Sequence, residues 1–402
     1  MDKNETLKYY FGYDKLKDEQ EKIIDSVLKG FDTIGILPTG FGKSITFQLP
    51  ALMFAGITIV VTPLIALMQD QVMELKEKNI YAEYINSIQK KEEQNQIYEK
   101  LLKYKIKILY VSAERLLNEE FINIIKRIKV DFIVCDEAHT LLWSEDFRKA
   151  LGLIPLFVKK LSYRPKMLAL TATATTRTIN KIINLLELNN PNIILNNCDR
   201  NNIFYRIIRT DKKDLELLKY LKNKSERILI YCLTIKNVIH VYNLLKDKYK
   251  VLVYHGALDA DKKKYALEAY KNNKCNIIIC TNSFGMGINI KDIRYVIEYD
   301  IPASIEDFVQ QIGRASRDGK YAEGVVLFNI NDIKTIEYFI NNIDDEEKRL
   351  DEIIDIKRDR LNKLDKVVNL CLSKKCIRKQ ISSYFGFKNN TKCMMCSNCK
   401  KN

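Results

Sequence analysis

The feature that most constrains the fold is an alternation of short, almost purely apolar runs with longer segments of helical periodicity. The apolar runs are rich in Val, Ile and Leu, which is typical of strands covered on both faces in a parallel sheet. Such runs occupy residues 33–37, 57–63, 106–112, 131–137 and 167–173, and then 227–233, 251–256, 276–282, 295–302 and 324–330. Intervening segments such as 64–79 have helical spacing. Strand–helix alternation predicts parallel sheets in α/β domains.

The alternation divides the chain into two units of similar size. The Asn-rich stretch 188–202 is weakly patterned, and we interpret it as a linker. From about Ile336 an apolar stripe at helical spacing leads into a cysteine-rich segment. The predicted domains are therefore 1–198, 199–335 and a helical module at 336–402.

The net charge of the chain indicates which class of molecule it binds. The 402 residues carry 66 Lys and Arg against 51 Asp and Glu, a formal net charge of +15. This surplus suits a polyanion such as nucleic acid, although solubility alone is an alternative explanation. No run is long enough to span a bilayer, and the opening MDKNETLKYY lacks the apolar core of a secretory signal. We expect an intracellular protein with reduced thiols and no membrane partner.

The segment ILPTGFGKS (36–44) joins a predicted strand to a predicted helix. Gly40 and Gly42 would let the backbone direct N–H groups at phosphate oxygens, and the helix N-terminus adds partial positive charge. Lys43 can reach the β- and γ-phosphates of a nucleotide, and Ser44 can ligate Mg²⁺. The segment predicts nucleotide binding.

An acidic pair ends another predicted strand, in FIVCDEAH (132–139). The carboxyl ends of parallel strands are where such sheets bind ligands. We predict that Asp136 holds Mg²⁺ and that Glu137 orients the attacking water. A solvated turn is the alternative for an acidic pair considered by itself.

Cysteines are concentrated near the C-terminus. Cys393, Cys396 and Cys399 follow one another at intervals of three, and Cys376 lies upstream. Four thiolates suit a closed, tetrahedral and structural Zn²⁺ site. Cys371 falls outside this spacing, and we interpret it as a buried or spare thiol.

With these motifs in place, most of the chain resembles the RecQ family of DNA helicases, within helicase superfamily two. The resemblance rests on motifs in the family order: FGYDKLKDEQ (11–20), VTPLIALMQDQ (61–71), YVSAERL (110–116), DEAH (136–139), LTATAT (170–175), DRNNI (199–203), LIYCLT (229–234), TNSFGMGINI (281–290) and QQIGRASRDG (310–319). It implies two tandem RecA-like parallel-sheet domains followed by a small helical zinc-binding module, with YFG (384–386) between the first two zinc ligands.

The resemblance also implies roles for individual residues. The implied nucleotide contacts are Tyr13, Lys17, Gln20, Thr39, Gly40, Gly42, Lys43 and Ser44. The implied catalytic group comprises Lys43, Ser44, Asp136, Glu137, Gln310, Arg314 and Arg317, with the arginines presented to the γ-phosphate of ATP. Cys376, Cys393, Cys396 and Cys399 are the implied zinc ligands, and Ser44 and Asp136 those of Mg²⁺.

The only tryptophan lies in the loop after the acidic motif, where RecQ-like enzymes sense single-stranded DNA. Residues implied to contact DNA or couple it to hydrolysis are Thr62, Pro63, His139, Trp143, Phe147, Arg148 and Thr281. Aromatic side chains stack on bases of any sequence. The alternative for Trp143 is packing of its ring in the hydrophobic core. The alternative for His139 is a structural position at an interface, with its hydrogen bonds satisfied.

The implied function is ATP-driven 3′–5′ movement on single-stranded DNA and unwinding of partly duplex DNA in repair and recombination. Leu37 stands where the strict phosphate-loop pattern has a glycine. The chain departs from the family pattern in three ways: the segment between His139 and Trp143 is one residue shorter than expected, Lys17 replaces an arginine, and Ser316 replaces a glycine. Many relatives continue beyond the zinc module with a winged-helix domain. We therefore expect ATPase activity and translocation, with unwinding that is weak, depends on a partner, or relies on the zinc module and the aromatic loop. Three alternatives remain: a DNA-stimulated ATPase with weak or partner-dependent unwinding, a superfamily-two RNA helicase, and a non-catalytic architectural protein. We expect a monomer, with single-strand-binding or repair proteins as possible partners.

Overall fold

The computed structural model describes residues 1–62, 65–86, 88–142, 145–197, 199–284, 290–343, 349–387 and 393–400. For residues 65–67, 141–142 and 145–148 it describes the backbone alone. The chain divides into two compact units, unit 1 at Met1–Cys198 and unit 2 at Asp199–Asn402.

Unit 1 is built on a seven-stranded sheet in the order β3-β4-β2-β5-β6-β1-β7. Its strands are β1 (Thr33–Ile36), β2 (Ile57–Val61), β3 (Ala82–Ile85), β4 (Ile108–Val111), β5 (Val130–Cys135), β6 (Lys166–Thr171) and β7 (Asn192–Leu195). Its helices are α1 (Lys3–Thr6), α2 (Asp18–Leu28), α3 (Ile45–Met53), α4 (Ile65–Glu77), α5 (Lys91–Leu102), α6 (Glu119–Ile125), α7 (Glu145–Val158) and α8 (Thr176–Leu185). Neighbouring strands are parallel throughout.

Continuous apolar strands arise because both faces of this sheet are covered. Along β2, Ile59 and Val61 belong to one buried cluster, whereas Val60 between them belongs to a second. In β5, Ile133 and its neighbour Val134 divide between the clusters in the same way. Since successive side chains of a strand point to opposite faces, each residue of such a run becomes core.

Unit 2 contains a six-stranded parallel sheet in the order β10-β11-β9-β12-β13-β8. Its strands are β8 (Ile203–Arg209), β9 (Arg227–Tyr231), β10 (Val251–Tyr254), β11 (Ile277–Cys280), β12 (Ile293–Glu298) and β13 (Ala322–Phe328). Its helices are α9 (Lys213–Leu221), α10 (Ile235–Leu245), α11 (Ala260–Lys271), α12 (Ile305–Ile312), α13 (Asn331–Asn341), α14 (Leu350–Leu372) and α15 (Ile377–Tyr384). Two parallel-sheet domains and a C-terminal helical region were predicted, and this architecture is confirmed.

The interpretation of 188–202 as a linker is wrong in part. Residues Asn192–Leu195 form β7, which pairs in parallel with β1 at the edge of the first sheet. Most of its side chains are exposed, so the strand lacks the apolar pattern by which the other strands were recognised. Strands β3 and β8 were also not predicted. None of the described helices combines the length with the apolar composition needed to cross a bilayer.

Candidate active site and metal centre

The glycine-containing loop lies between β1 and α3, as its sequence predicts. Gly40 and Gly42 have φ angles of 76° and 87°, in the left-handed region where a side chain would be strained. Ser44 occupies the N-cap position of α3. The first turn of α3 contains no acidic residue, so the helix N-terminus retains its attraction for an anion.

Three of the implied nucleotide contacts, Tyr13, Lys17 and Gln20, precede this loop in the sequence, and two of them pack against it. The Gln20 Nε2 group donates to the carbonyl oxygens of Phe41, at 2.9 Å, and Gly42, at 3.1 Å. Lys17 Nζ donates to the same Phe41 oxygen at 3.1 Å and lies 4.2 Å from the centroid of the Phe41 ring. Tyr13 is 58% exposed. Lys17 and Gln20 therefore hold the glycine-containing loop through hydrogen bonds to its backbone.

The acidic pair lies at the same sheet edge as the loop. β6 separates β5 from β1, and the acidic pair follows β5 directly. Lys43 Nζ donates to Glu137 Oε1 at 2.9 Å, and both side chains are largely buried. Glu137 has a φ angle of 51°, a conformation unusual for a residue with a side chain and one often found at functional sites. The structure thus joins the predicted phosphate-binding lysine to the predicted catalytic carboxylate.

Asp136 is buried beside this ion pair. Burial, and after it the Glu137 charge, raise the pKa of its carboxyl group to about 6 against the opposing charge of Lys43. The backbone N–H of Glu137 donates to Asp136 Oδ1 at 2.9 Å. A buried carboxylate whose ionisation is disfavoured gains most from a nearby cation, so the site suits a divalent ion.

His139 connects Glu137 to the end of β6. Its Nδ1 atom lies 3.3 Å from Glu137 Oε2 and 2.9 Å from Thr171 Oγ1. Burial lowers the pKa of His139 to about 4, with Glu137 raising it and Lys43 lowering it, so the ring is neutral near pH 7. Since Thr171 Oγ1 donates to the carbonyl oxygen of Thr173 at 3.0 Å, we assign the ring hydrogen to Nδ1. Thr171 was not predicted as a site residue, although it lies in the LTATAT motif.

Of the remaining residues predicted to contact DNA, the structure describes Thr62 and Thr281 with their side chains. Thr62 follows β2 and is fully buried, and among the described residues its Oγ1 atom has no hydrogen-bond partner. Thr281 follows β11, and its Oγ1 atom lies 2.9 Å from Ser283 Oγ. Pro63 and Trp143 lie outside the described residues. Phe147 and Arg148 belong to α7, and only the backbone of these two residues is described.

In unit 2 the two predicted arginines follow α12, which carries the half-buried Gln310. Arg314 is only 8% exposed. Burial raises the pKa values of the Tyr231 hydroxyl and the Glu298 carboxyl group, and the positive charge of Arg314 acts to lower both. The Arg314 guanidinium group therefore lies near these two buried side chains, inside unit 2. Arg317 is half-buried. Of the two arginines, Arg317 is the more accessible to a ligand.

The four predicted metal ligands are brought together. The Sγ atoms of Cys376, Cys393, Cys396 and Cys399 lie within 4.8 Å of one another. Cys376 is the N-cap of α15, where its sulfur accepts the Lys379 N–H at 3.4 Å. Backbone N–H donors of this kind stabilise thiolates. The donor set fits a tetrahedral zinc ion, whereas Cys371 is buried on α14 outside the cluster.

The cysteine cluster is attached to the second sheet through its edge strand, β8. The Tyr205 N–H donates to the carbonyl oxygen of Met395 at 3.1 Å, and the Ser397 N–H donates to the carbonyl oxygen of Tyr205 at 2.9 Å. Tyr205 and Cys396 thereby form a parallel bridge. The cluster covers part of an edge that would otherwise present unpaired backbone groups.

Comparison with known proteins agrees with this geometry. Family models match residues 17–182 (DEAD/DEAH box helicase), 212–319 (helicase conserved C-terminal domain) and 330–400 (RecQ zinc-binding). The ATP-dependent DNA helicase RecQ of Bacillus subtilis is 38% identical over 400 residues, covering 98% of this chain and 66% of the relative. The probable ATP-dependent DNA helicase RecS of the same organism is 37% identical over 363 residues, covering 88% and 72%.

Among solved structures, Mss116p bound to ssRNA and AMP-PNP shares the fold, with a TM-score of 0.69 and 18% identity over 96% of this chain and 88% of that chain. The chain spans about two thirds of the length of the curated RecQ helicases that it matches, at most 66%. Its match to RecS covers 72% of that relative at 37% identity. Both helicase domain models and the zinc-binding model fall on the two sheets and the cysteine cluster. The chain therefore belongs to the RecQ family of helicases.

Proposed function

We propose that the chain is an ATP-dependent DNA helicase that moves 3′ to 5′ on single-stranded DNA and unwinds partly duplex DNA in repair and recombination. The observation that carries the proposal is the meeting of Lys43, Asp136 and Glu137 at one sheet edge, beside the neutral His139. Curated RecQ relatives named as ATP-dependent DNA helicases support the choice of substrate.

In the proposed reaction Lys43 leaves Glu137 to bind the β- and γ-phosphates of ATP. Glu137 is then released to orient the attacking water. Ser44 and Asp136 would hold Mg²⁺, which neutralises charge that develops on the phosphate oxygens. Gln310, Arg314 and Arg317 complete the group, and the greater accessibility of Arg317 favours it as the γ-phosphate contact. An arginine in this role is worth about 10³–10⁵ in rate.

We propose that DNA controls hydrolysis through His139. It contacts both the proposed catalytic carboxylate and Thr171, at the end of β6. His139 also precedes Trp143 by four residues in the sequence, and stacking of Trp143 on bases would couple DNA to this contact. Phe147 and Arg148 would support that contact, while Pro63 and Thr281 would bind the backbone of the strand. Thr62 is fully buried, so it would position the end of β2 and not touch DNA itself.

The four-cysteine cluster is proposed to hold a structural Zn²⁺. With all four positions taken by protein sulfurs, the ion would have no position left for a substrate. Its contribution would be to folding, since the cluster fixes the start of α15 and the residues paired with β8.

The proposal is tested by measuring ATP hydrolysis with no polymer, with single-stranded DNA and with RNA of equal length. We expect strong stimulation by DNA. Glu137→Gln should abolish hydrolysis while ATP still binds, because the substitution removes the charge that orients water. The matched control, Glu99→Gln, alters an exposed glutamate on α5 that faces Lys103 and should leave turnover unchanged. Hydrolysis that no DNA accelerates would refute the proposal.

Unwinding is tested separately with duplexes that carry a 3′ or a 5′ single-stranded tail. Separation of the 3′-tailed duplex alone supports the proposed direction. Stimulation by DNA without strand separation would instead favour the weak or partner-dependent translocase. Stronger stimulation by RNA would favour a superfamily-two RNA helicase, in keeping with the shared fold of Mss116p.

A further inference from the structure

The first residues of unit 2 connect two functional regions. The connecting segment, Asp199–Ile203, contacts the arginine loop, which we define as Gly313–Lys320. It also contacts α15, which together with the four-cysteine cluster forms what we call the cysteine module. Its sequence, DRNNI, belongs to the motifs of the family resemblance, but none of its residues was predicted as a site residue. The contacts themselves suggest what the segment does.

Arg200 binds the end of helix α12. Its Nη2 group donates to the carbonyl oxygens of Ser316, at 2.6 Å, and Ala315, at 3.4 Å, and its Nη1 group reaches that of Gly313 at 3.5 Å. Gly313 is the C-cap of α12, where a helix ends with unpaired acceptors and partial negative charge, and Ala315 and Ser316 follow it in the arginine loop. A fixed positive charge with several donors therefore holds the first half of the arginine loop.

Asn202 binds the second half of the loop. Its Nδ2 group donates to the carbonyl oxygens of Lys320, at 2.9 Å, and Ser316, at 3.2 Å, and lies 3.1 Å from Ser316 Oγ. The backbone N–H of Ala322 donates to the Asn202 carbonyl oxygen at 3.0 Å. Three polar contacts from one amide span the loop on both sides of Arg317.

The backbone conformation of Ser316 gives a reason why the arginine loop needs these contacts. Its φ angle is 46°, a left-handed conformation that is strained for any residue with a side chain, and the residue stands where the family pattern has glycine. Its hydroxyl group lies 3.0 Å from Asp318 Oδ1, and Asp318 is held in turn by Arg294. Asn202 and Asp318 thus contact the strained residue from two sides.

The connecting segment is itself anchored at its other side. Arg378, the second residue of α15, forms a buried ion pair with Asp199 and donates from Nη2 to the Ile203 carbonyl oxygen at 2.6 Å. Its guanidinium group also lies 5.2 Å from the centroid of the Tyr205 ring. The segment is therefore held between the cysteine module and the arginine loop.

We propose that Arg200 and Asn202 are positioning residues for Arg317. They hold the arginine loop in the one geometry in which Arg317 can stabilise the transition state of ATP hydrolysis. The inference rests on the proposed function and deepens it. Because a misplacement of about 1 Å can cost about 10²-fold in rate, loosening the loop should lower kcat well before it disturbs substrate binding.

The test is a double-mutant cycle on DNA-stimulated ATP hydrolysis with Asn202→Ala and Arg317→Ala. Asn202→Ala should lower kcat by about 10- to 100-fold, with the KM for ATP and the affinity for DNA changed by less than about twofold. In the Arg317→Ala background the same change should have almost no further effect, because both substitutions remove the action of one arginine. Multiplicative losses would overturn the inference.

Asn201→Ala is the matched control. Asn201 is the exposed neighbour of Asn202, and within the described residues it has no hydrogen bond to the arginine loop, only a 3.5 Å contact with Arg378. It should retain the kcat of the unmodified protein. If Asn202→Ala does not fold, Arg200→Lys takes its place in the cycle, since lysine keeps the charge but loses the several fixed donors of arginine.

The outcomes separate this inference from the proposed function. An unmodified protein that DNA does not stimulate refutes the function, and with it the inference. A stimulated protein in which Asn202→Ala and Arg200→Lys retain full kcat refutes the inference alone. A fall in kcat that appears equally in Asn201→Ala points to general destabilisation of the segment and also overturns it.

Discussion

Replacing Asp136 by asparagine should make the protein without nucleotide more stable while it abolishes ATP hydrolysis. Burial raises the pKa of this carboxyl group to about 6. The folded state therefore binds the proton more tightly than the unfolded state does, and ionisation at neutral pH opposes folding. The asparagine side chain of the variant would avoid that ionisation and could still accept the Glu137 N–H.

The magnitude follows from the same pKa values. The Asp136 pKa of about 6 in the folded protein, against its ordinary value of 3.8, means that ionisation lowers the free energy of unfolding by about 3 kcal/mol above pH 6. The new amide N–H groups must themselves find partners, which reduces the expected gain to about 1–3 kcal/mol. Between pH 6 and 3.8 the folded protein takes up the proton, so the gain should shrink as pH falls and vanish below 3.8.

The assay is urea unfolding at pH 7.5 and pH 4.5, followed by circular dichroism, without nucleotide or added Mg²⁺. Asp131→Asn is the matched control, because Asp131 lies near the start of the same strand. Burial by itself would raise the pKa of Asp131, but hydrogen bonds from Gly56 N–H and Lys129 lower it overall. This control should therefore lose stability at pH 7.5.

Two results would refute the reasoning. One is an Asp136→Asn protein that is less stable than the unmodified protein at pH 7.5. The other is a gain of equal size at both pH values, which would show that ionisation is not its origin. His139 also titrates in this range, but its contribution is common to both proteins and cancels in the difference.

Three further substitutions test other parts of the chain. Trp143→Ala should leave ATP binding intact but abolish stimulation of hydrolysis by DNA, measured as turnover against DNA concentration. Cys396→Ser should release zinc, measured by elemental analysis, and lower the melting temperature, because the backbone pairing with Tyr205 depends on the cluster. Thr171→Val should lower kcat for DNA-stimulated hydrolysis at unchanged KM for ATP, because His139 loses the hydroxyl group that accepts its hydrogen.

Each of these changes has a control in the same chain. Tyr104→Ala removes a 70% exposed aromatic ring and should keep DNA stimulation. Cys371→Ser alters a buried thiol outside the cluster and should retain zinc. Thr58→Val removes a buried hydroxyl group that has no partner among the described residues, so activity should persist. Identical behaviour of a substitution and its control would contradict the role assigned to that residue.

The sequence alone was sufficient for the features whose signal is local. A nearly continuous apolar run such as 57–61 indicates a strand covered on both faces, and a glycine-containing loop between a strand and a helix indicates a phosphate site. The spacing of Cys393, Cys396 and Cys399 likewise indicates a metal site within a few residues of chain. In each case neighbours in sequence carry the physical constraint.

Other features depend on partners far away along the chain. β7 exists because its backbone pairs with β1, and its exposed side chains carry no signal of that pairing. Thr171 meets His139 from the end of a different strand. Asn202 reaches Ser316 across 114 positions of sequence. Such contacts are fixed only when the sheet order is fixed, so no local pattern could predict them.

The sequence by itself therefore determined the parallel α/β domains, the phosphate loop with its acidic partner, and the group of four thiols. Tertiary structure decided which groups those residues touch: Glu137 pairs with Lys43, Arg314 is buried in unit 2, and the connecting segment holds the arginine loop. The physical reason is that backbone and periodicity preferences act over a few residues. Hydrogen bonds, ion pairs and pKa values depend instead on distances between atoms that only the assembled sheets bring together.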